Sequence, residues 1–220
     1  MIHNAREYID ILKYEAHRNL STKEGYQWIN INYENNSLEP INGSKLHYKS
    51  KLINPIIESI VSGKTVLDIG CDKGYFSWFS CKSGASNVYA NEIHPKVHNF
   101  TKALFKYMKL NITPICNNLF LENIKIEVDY VFAFAVIHQI ENNTMEDSIS
   151  KIRGFCKEGA LIEFCGDYRM RLGSEWNLIN FESIISKYFN SIQCVVNYEA
   201  INGDNPRNLG TRYIYDCRCN

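Results

Sequence analysis

Hydrophobic positions along the chain switch between two periods, and the switches predict its elements. Ala5, Tyr8, Ile9, Leu12, Ala16 and Leu20 recur at helical spacing with Arg6, Glu7, Asp10, Lys13 and Arg18 between them, an amphipathic helix over residues 2–20. The period is lost over 21–50, which is dense in Asn, Ser and Gly and carries Tyr26, Trp28, Tyr33 and Tyr48. A polar, aromatic-bearing segment of this length is either a lid or a surface loop. Leu52, Ile53, Ile56, Ile57 and Ile60 form a stripe that Ser62-Gly63 breaks, which reads as a helix leading into a strand.

Strands and helices then alternate. Thr65 to Ile69 is a short β-branched run with the character of a strand buried on both faces. A helical pattern with Phe76, Phe79 and Ser80 on one side follows the glycines. Asn87 to Asn91 is the second strand, and Pro95 suits the first turn of a helix to about Lys109 that buries Val97, Phe100, Ala103, Leu104, Tyr107 and Met108. Thr113 to Cys116 is the third strand. Val128 to Phe134 is the fourth, continuing towards Ile140, and Ala160 to Phe164 is the fifth. Gly166 to Asn180 reads as a polar loop, and 181–189 as a helix capped by Asn180. Ile192 to Tyr198 and Arg212 to Cys217 read as a closing antiparallel pair. This alternation predicts an α/β, doubly wound, mostly parallel sheet. The expected division is an N-terminal helix and lid over 1–50 and the sheet domain over 51–220.

The candidate chemistry is concentrated at Asp68-Ile69-Gly70-Cys71-Asp72-Lys73-Gly74, a glycine turn between a strand and a helix. Such a turn lets a ligand approach bare backbone, and the helix start behind it offers free N–H groups. A phosphate-cradling loop needs Gly-Lys-Ser/Thr, but Tyr75 and Phe76 follow Gly74. A dinucleotide fingerprint needs three glycines, and here the spacing is Gly-x-x-x-Gly. An ordinary tight turn is the plain alternative. The next acidic residue weighs against it: Glu92 ends the second strand, 18 residues after Gly74, where a carboxylate can accept both hydroxyls of a ribose.

The segment resembles the first motif of the class I S-adenosylmethionine-dependent methyltransferases, Asp/Glu-x-Gly-x-Gly-x-Gly, with Asp72 in place of the middle glycine. The resemblance covers about residues 52–217. The resemblance narrows at Ala135-Val136-Ile137-His138-Gln139-Ile140, Ala160 to Phe164 and Phe181 to Phe189, which look like a bacterial branch related to nodulation methyltransferases. It implies a Rossmann-like seven-stranded sheet with an antiparallel last strand, and S-adenosylmethionine as cofactor. It implies that Asp68, Gly70, Cys71 and Gly74 line the cofactor, that Glu92 binds its ribose, and that Ile93 and Phe134 touch it. The family often bonds the adenine amino group with an acidic residue where this chain has Asn117 and Asn118. An Asn oxygen can accept the same bond, and an Asn turn is the other reading.

Methyl transfer from a sulfonium expels a neutral leaving group, so an enzyme has to align the reactants, exclude water and remove a proton from the acceptor. His138, after the fourth strand, is the first candidate base, because an imidazole takes up protons near neutral pH. A structural histidine at a strand end is the competing reading. Glu163 at the end of the fifth strand is the second candidate base, and a solvated cap is its alternative. Asp167, Arg169 and Arg171 in the following loop, and Tyr26, Trp28 and Trp176, are candidates for substrate contacts, with plain surface or rim packing as the alternative.

Composition narrows the partners. Lys plus Arg and Asp plus Glu are 24 each, a balance with no electrostatic footprint for a long nucleic acid or an anionic membrane. With the methyltransferase resemblance this favours a small-molecule acceptor, and methylation of RNA or a catalytically inactive cofactor-binding partner protein are the alternatives. No apolar stretch approaches the roughly 20 residues of a membrane span, and the charged N-terminus does not read as a signal peptide. The eight cysteines contain no Cys-x-x-Cys pair, and Cys217-x-Cys219 supplies two ligands where structural zinc wants four. No metal is expected, and the thiols suggest a reducing, cytoplasmic setting.

Overall fold

The computed structural model describes residues 27, 29–32, 34–42, 44–122, 124–140, 143–166, 173–199 and 211–219. The predicted helix over 2–20 and the candidates Tyr26, Trp28, Asp167, Arg169 and Arg171 lie outside the described residues. The chain divides into two compact units, Met1–Gly63 with Cys71–Cys116, and Lys64–Gly70 with Asn117–Asn220.

The first unit opens with a hairpin of β1 (Ile29–Asn32) and β2 (Ser37–Pro40), paired antiparallel with Ile29 opposite Pro40. Asn32 Oδ1 accepts the N–H groups of Glu34 and Asn35 and so starts the turn. Helix α1 (Lys45–Ile60) is capped by Ser44, whose Oγ accepts the His47 N–H at 3.1 Å, and buries Leu46, Ile53 and Ile57. The hairpin and the first turn of α1 occupy positions where the sequence reads as a loop. Strands of four residues carry too little alternation to stand out from a polar segment.

Helix α2 (Tyr75–Lys82), β4 (Asn87–Asn91), α3 (Pro95–Tyr107) and β5 (Ile112–Ile115) complete this unit, with β4 and β5 parallel and Val88 opposite Ile112. Pro95 starts α3 as its sequence position predicts, since a first-turn residue loses nothing by lacking an N–H.

In the second unit β3 (Thr65–Ile69) pairs in parallel with β6 (Val128–Ala133), and β6 with β7 (Cys156–Cys165). Asp129 Oδ2 accepts the Thr65 N–H and hydroxyl at 2.7 and 2.9 Å and fixes where β3 begins. Strand β6 stops at Ala133 instead of continuing: Ala135 takes φ +55, and Ile137–Gln139 forms one 3₁₀ turn.

Helix α4 (Met145–Phe155) has no counterpart in the sequence reading. It starts at a capping box, Thr144 with Asp147, and buries Ile149, Ile152 and Phe155. Helix α5 (Leu178–Tyr188) is capped by Asn177, not Asn180, whose N–H donates to Asn177 Oδ1 at 2.8 Å. Ile179 is 81% exposed, so the apolar stripe of α5 begins only at Phe181 and hides the true start. Strands β8 (Ser191–Glu199) and β9 (Thr211–Arg218) pair antiparallel.

The seven strands run in the order β5-β4-β3-β6-β7-β9-β8, and β9 is antiparallel to both its neighbours. This is the mostly parallel sheet with an antiparallel last strand that the alternation and the resemblance imply. Strand order turns back on itself at β3, the strand that leads into the glycine turn.

Candidate functional site

The glycine turn uses three left-handed residues, Gly70 at φ +67, Asp72 at φ +48 and Gly74 at φ +80. A Cβ on Gly70 would come within 2.9 Å of Val136 Cγ2, and one on Gly74 would overlap the Phe105 ring. Both positions therefore need glycine for conformation and for room. Asp72 is the residue that takes this backbone without being glycine, at a steric cost that its neighbours must offset.

They do so from three sides. The Asp72 N–H donates to Glu92 Oε2 at 3.1 Å, its carbonyl accepts the Thr101 hydroxyl at 2.9 Å, and its Oδ2 accepts the Gln27 N–H at 2.6 Å. The turn is also tied to β4, because the Cys71 N–H donates to the Asn91 carbonyl at 2.9 Å. Lys73 is buried inside the turn. Burial pushes its ammonium below its ordinary range, and the charge of Asp72 opposes that shift.

Glu92 follows β4 and is partly exposed. Its Oε2 takes the Asp72 N–H, its Oε1 takes the His94 N–H at 2.8 Å, and its own N–H donates to the Ile115 carbonyl at 3.0 Å. A carboxylate oxygen has two lone pairs. One backbone donor on each oxygen orients Glu92 and leaves each able to accept a further hydroxyl. Ile93 beside it is 57% exposed, an apolar surface next to an oriented carboxylate.

In the second unit Asp68 is buried near the end of β3, and Phe134 stacks on Phe132 with ring centroids 5.5 Å apart. His138 lies in the 3₁₀ turn, 5% exposed and edge-on to Trp176 at 6.4 Å. Gln139 Nε2 donates to the Ala135 carbonyl at 2.9 Å and steadies that turn. Trp176 stacks on Phe164 at 5.3 Å and donates its indole N–H to the Cys165 carbonyl at 2.7 Å. Its neighbours are thus those of a packed core side chain with one satisfied polar atom.

Glu163 is enclosed rather than capped by solvent. It is 1% exposed, its Oε1 accepts the Tyr198 hydroxyl at 2.6 Å, and Arg212 Nη1 stands 3.7 Å from the same oxygen. Arg212 also donates to Cys165 Sγ at 2.8 Å. Asn118 Oδ1 accepts the Phe120 N–H at 3.1 Å, while Asn117 Nδ2 and the Asn118 N–H donate to Glu122.

The structure thus ties Cys71, Asp72, Gly74 and Glu92 into one bonded cluster. In the other unit it packs His138 against Trp176. Sequence reasoning missed Gln27, whose Oε1 accepts the Tyr75 N–H at 2.9 Å, and missed Tyr198 and Arg212. A lone Gln in a polar segment carries no local signal, and the partners of Glu163 come from strands 35 residues or more further on.

No protein-family model and no curated protein matches the chain by sequence. Solved structures do match it. The magnesium protoporphyrin IX methyltransferase of Synechocystis, with S-adenosylmethionine bound, superposes with a TM-score of 0.58 at 13% identity, over 79% of each chain. The N-methyltransferase NodS from Bradyrhizobium japonicum superposes at 0.60 and 12% identity, over 80% of this chain and 98% of its own. A tRNA methyltransferase from M. jannaschii gives 0.57 at 16% identity, over 90% of this chain and 56% of its own. The sheet order, the single antiparallel strand and the glycine turn after β3 therefore belong to a chain with the fold of the class I methyltransferases.

Proposed function

We propose that the chain is an S-adenosylmethionine-dependent methyltransferase acting on a hydroxyl or amine of a small-molecule metabolite. The observation that carries this reading is Glu92, held at the end of β4 by the Asp72 and His94 N–H groups with acceptor capacity left on both oxygens. That donor set fits the paired hydroxyls of a ribose, and exposed Ile93 offers the apolar face a flat base needs. When bound, the cofactor supplies an electrophilic methyl group with a neutral leaving group.

The chain's own residues supply the rest. Gly70 and Gly74 keep the turn in a conformation in which backbone, rather than side chain, meets the amino-acid tail. His138, packed against Trp176, is the group proposed to take the acceptor's proton. Glu163 has a framework task in this reading, because it is buried with the Tyr198 hydroxyl and the Arg212 guanidinium beside one of its oxygens. Asn118 is read as a turn former. The substrate roles of Tyr26, Trp28, Asp167, Arg169 and Arg171 stand as proposals from the sequence. None of the eight cysteines, all of them among the described residues, forms a disulfide, which supports a reducing compartment.

A second reading, methylation of RNA, is favoured by the similarity to a tRNA methyltransferase and opposed by the balance of 24 basic and 24 acidic residues. Calorimetric titration of the wild type with S-adenosylhomocysteine and, separately, with NAD tests the cofactor: binding of the first alone is expected, and binding of NAD alone would refute the reading. RNA binding that weakens steeply with salt would move the assignment to the second reading.

A further inference from the structure

Gln27 is 4% exposed and makes two bonds that run in opposite directions. Its N–H donates to Asp72 Oδ2 at 2.6 Å, and its side-chain Oε1 accepts the Tyr75 N–H at 2.9 Å. Each bond answers a need of the turn. The N-cap of α2 is Gly74, which has no side chain to offer the first helical N–H groups. Gln27, 48 residues away, supplies the missing acceptor. Asp72 sits at φ +48, a backbone that glycine would take at less cost, and its carboxylate is what a glycine there would lack.

Asp72 is also the hub between this contact and the proposed ribose site. The residue whose carboxylate takes the Gln27 N–H gives its own N–H to Glu92 Oε2. Release of the carboxylate would let Asp72 return to negative φ. That rotation turns its N–H away from Glu92 and removes one of the two backbone donors that set the carboxylate.

Resting on the cofactor reading above, we propose that Gln27 is a positioning residue for cofactor binding: with Asp72 it forms a two-bond latch that keeps the turn in the conformation that presents Glu92 to the ribose. Linkage makes the effect reciprocal, so a bound nucleoside holds the latch closed to the same extent that the latch favours the nucleoside. Gln27 itself does not touch the reacting atoms in this account.

The test combines S-adenosylhomocysteine calorimetry with amide hydrogen exchange on the full chain. Gln27→Ala and Asp72→Ala are each expected to bind about tenfold more weakly, the loss of a single well-formed hydrogen bond. Asp72→Asn keeps an acceptor oxygen and tolerates the left-handed backbone, so it should stay within about threefold of wild type. The double variant Gln27→Ala with Asp72→Ala should bind little worse than the weaker single variant, because the two bonds act as a unit. In the wild type the ligand should slow exchange of the Gln27 and Tyr75 amides, a response that a merely structural cap would not show. Variants that bind at wild-type affinity, with the wild type binding normally, overturn the latch and leave the cofactor reading standing. A wild type that binds no S-adenosylhomocysteine overturns the cofactor reading and the latch with it.

Discussion

Two glutamates end or nearly end parallel strands of this sheet, and their surroundings differ in kind. Glu92 is partly exposed and, among the described residues, is held by two backbone N–H groups, which orient a carboxylate without using up its acceptor capacity. Glu163 is 1% exposed and faces an arginine and a tyrosine hydroxyl. The first arrangement is suited to receiving a ligand, and the second closes on itself. A carboxylate at a strand end is thus a site only when its partners leave room for one more.

The largest effect should come from breaking the closed member of the pair. Glu163→Ala removes the carboxylate beside buried Arg212 and is expected to cost about 3–5 kcal/mol of folding stability in urea unfolding, the range for deleting one partner of a buried ion pair. A loss below about 1 kcal/mol, the range of an exposed pair, would show that the enclosure carries no weight and would blur the comparison.

Gly74→Ala comes next. Its Cβ would overlap the Phe105 ring, at a φ of +80 that alanine resists, so a loss of about 1–3 kcal/mol is expected in the same assay. Because Gly74 belongs to the turn, the variant should also weaken S-adenosylhomocysteine binding, which Glu163→Gln, keeping its shape and an acceptor for Tyr198, should not. Equal binding losses in the two would erase the distinction between site and framework.

The remaining effect is on pH dependence and concerns a thiol of the second unit. Burial, with the charge of Cys219 nearby, pushes the Cys156 thiol from an ordinary 9.0 up to about 12. Its folded value is raised, so the stability it contributes is fully present below pH 9 and is lost as pH rises towards 12. Urea midpoints measured across that window should fall with pH, and less steeply in Cys156→Ala. An unchanged slope in the variant would place the alkaline loss elsewhere.

How much of this was legible in the sequence depends on whether the cause was local. Strands β3 and β4 have the bounds their residues predict, because Thr65 to Ile69 is a β-branched run stopped by Gly70 and Asn87 to Asn91 is followed by Glu92 and Pro95. Glu92 stood out for the same reason, as an acidic residue at a fixed distance from a glycine turn. Helix α4 was legible in principle, through Thr144 and Asp147 at capping-box spacing ahead of Ile149, Ile152 and Phe155, but it went unread between two strands. Glu163 looked like Glu92 in sequence, since nothing near it announces Tyr198 or Arg212. Gln27 could not be found that way at all, because its role exists only once Asp72 and Tyr75 are folded against it.

Calorimetry of S-adenosylhomocysteine with wild type and Glu92→Ala measures most directly whether Glu92 grips the sugar of a nucleoside. The variant should fold with a melting temperature close to wild type and bind more weakly by about 1–3 kcal/mol, since a charged acceptor for two hydroxyls is gone. Affinity equal to wild type in a folded Glu92→Ala protein would contradict it.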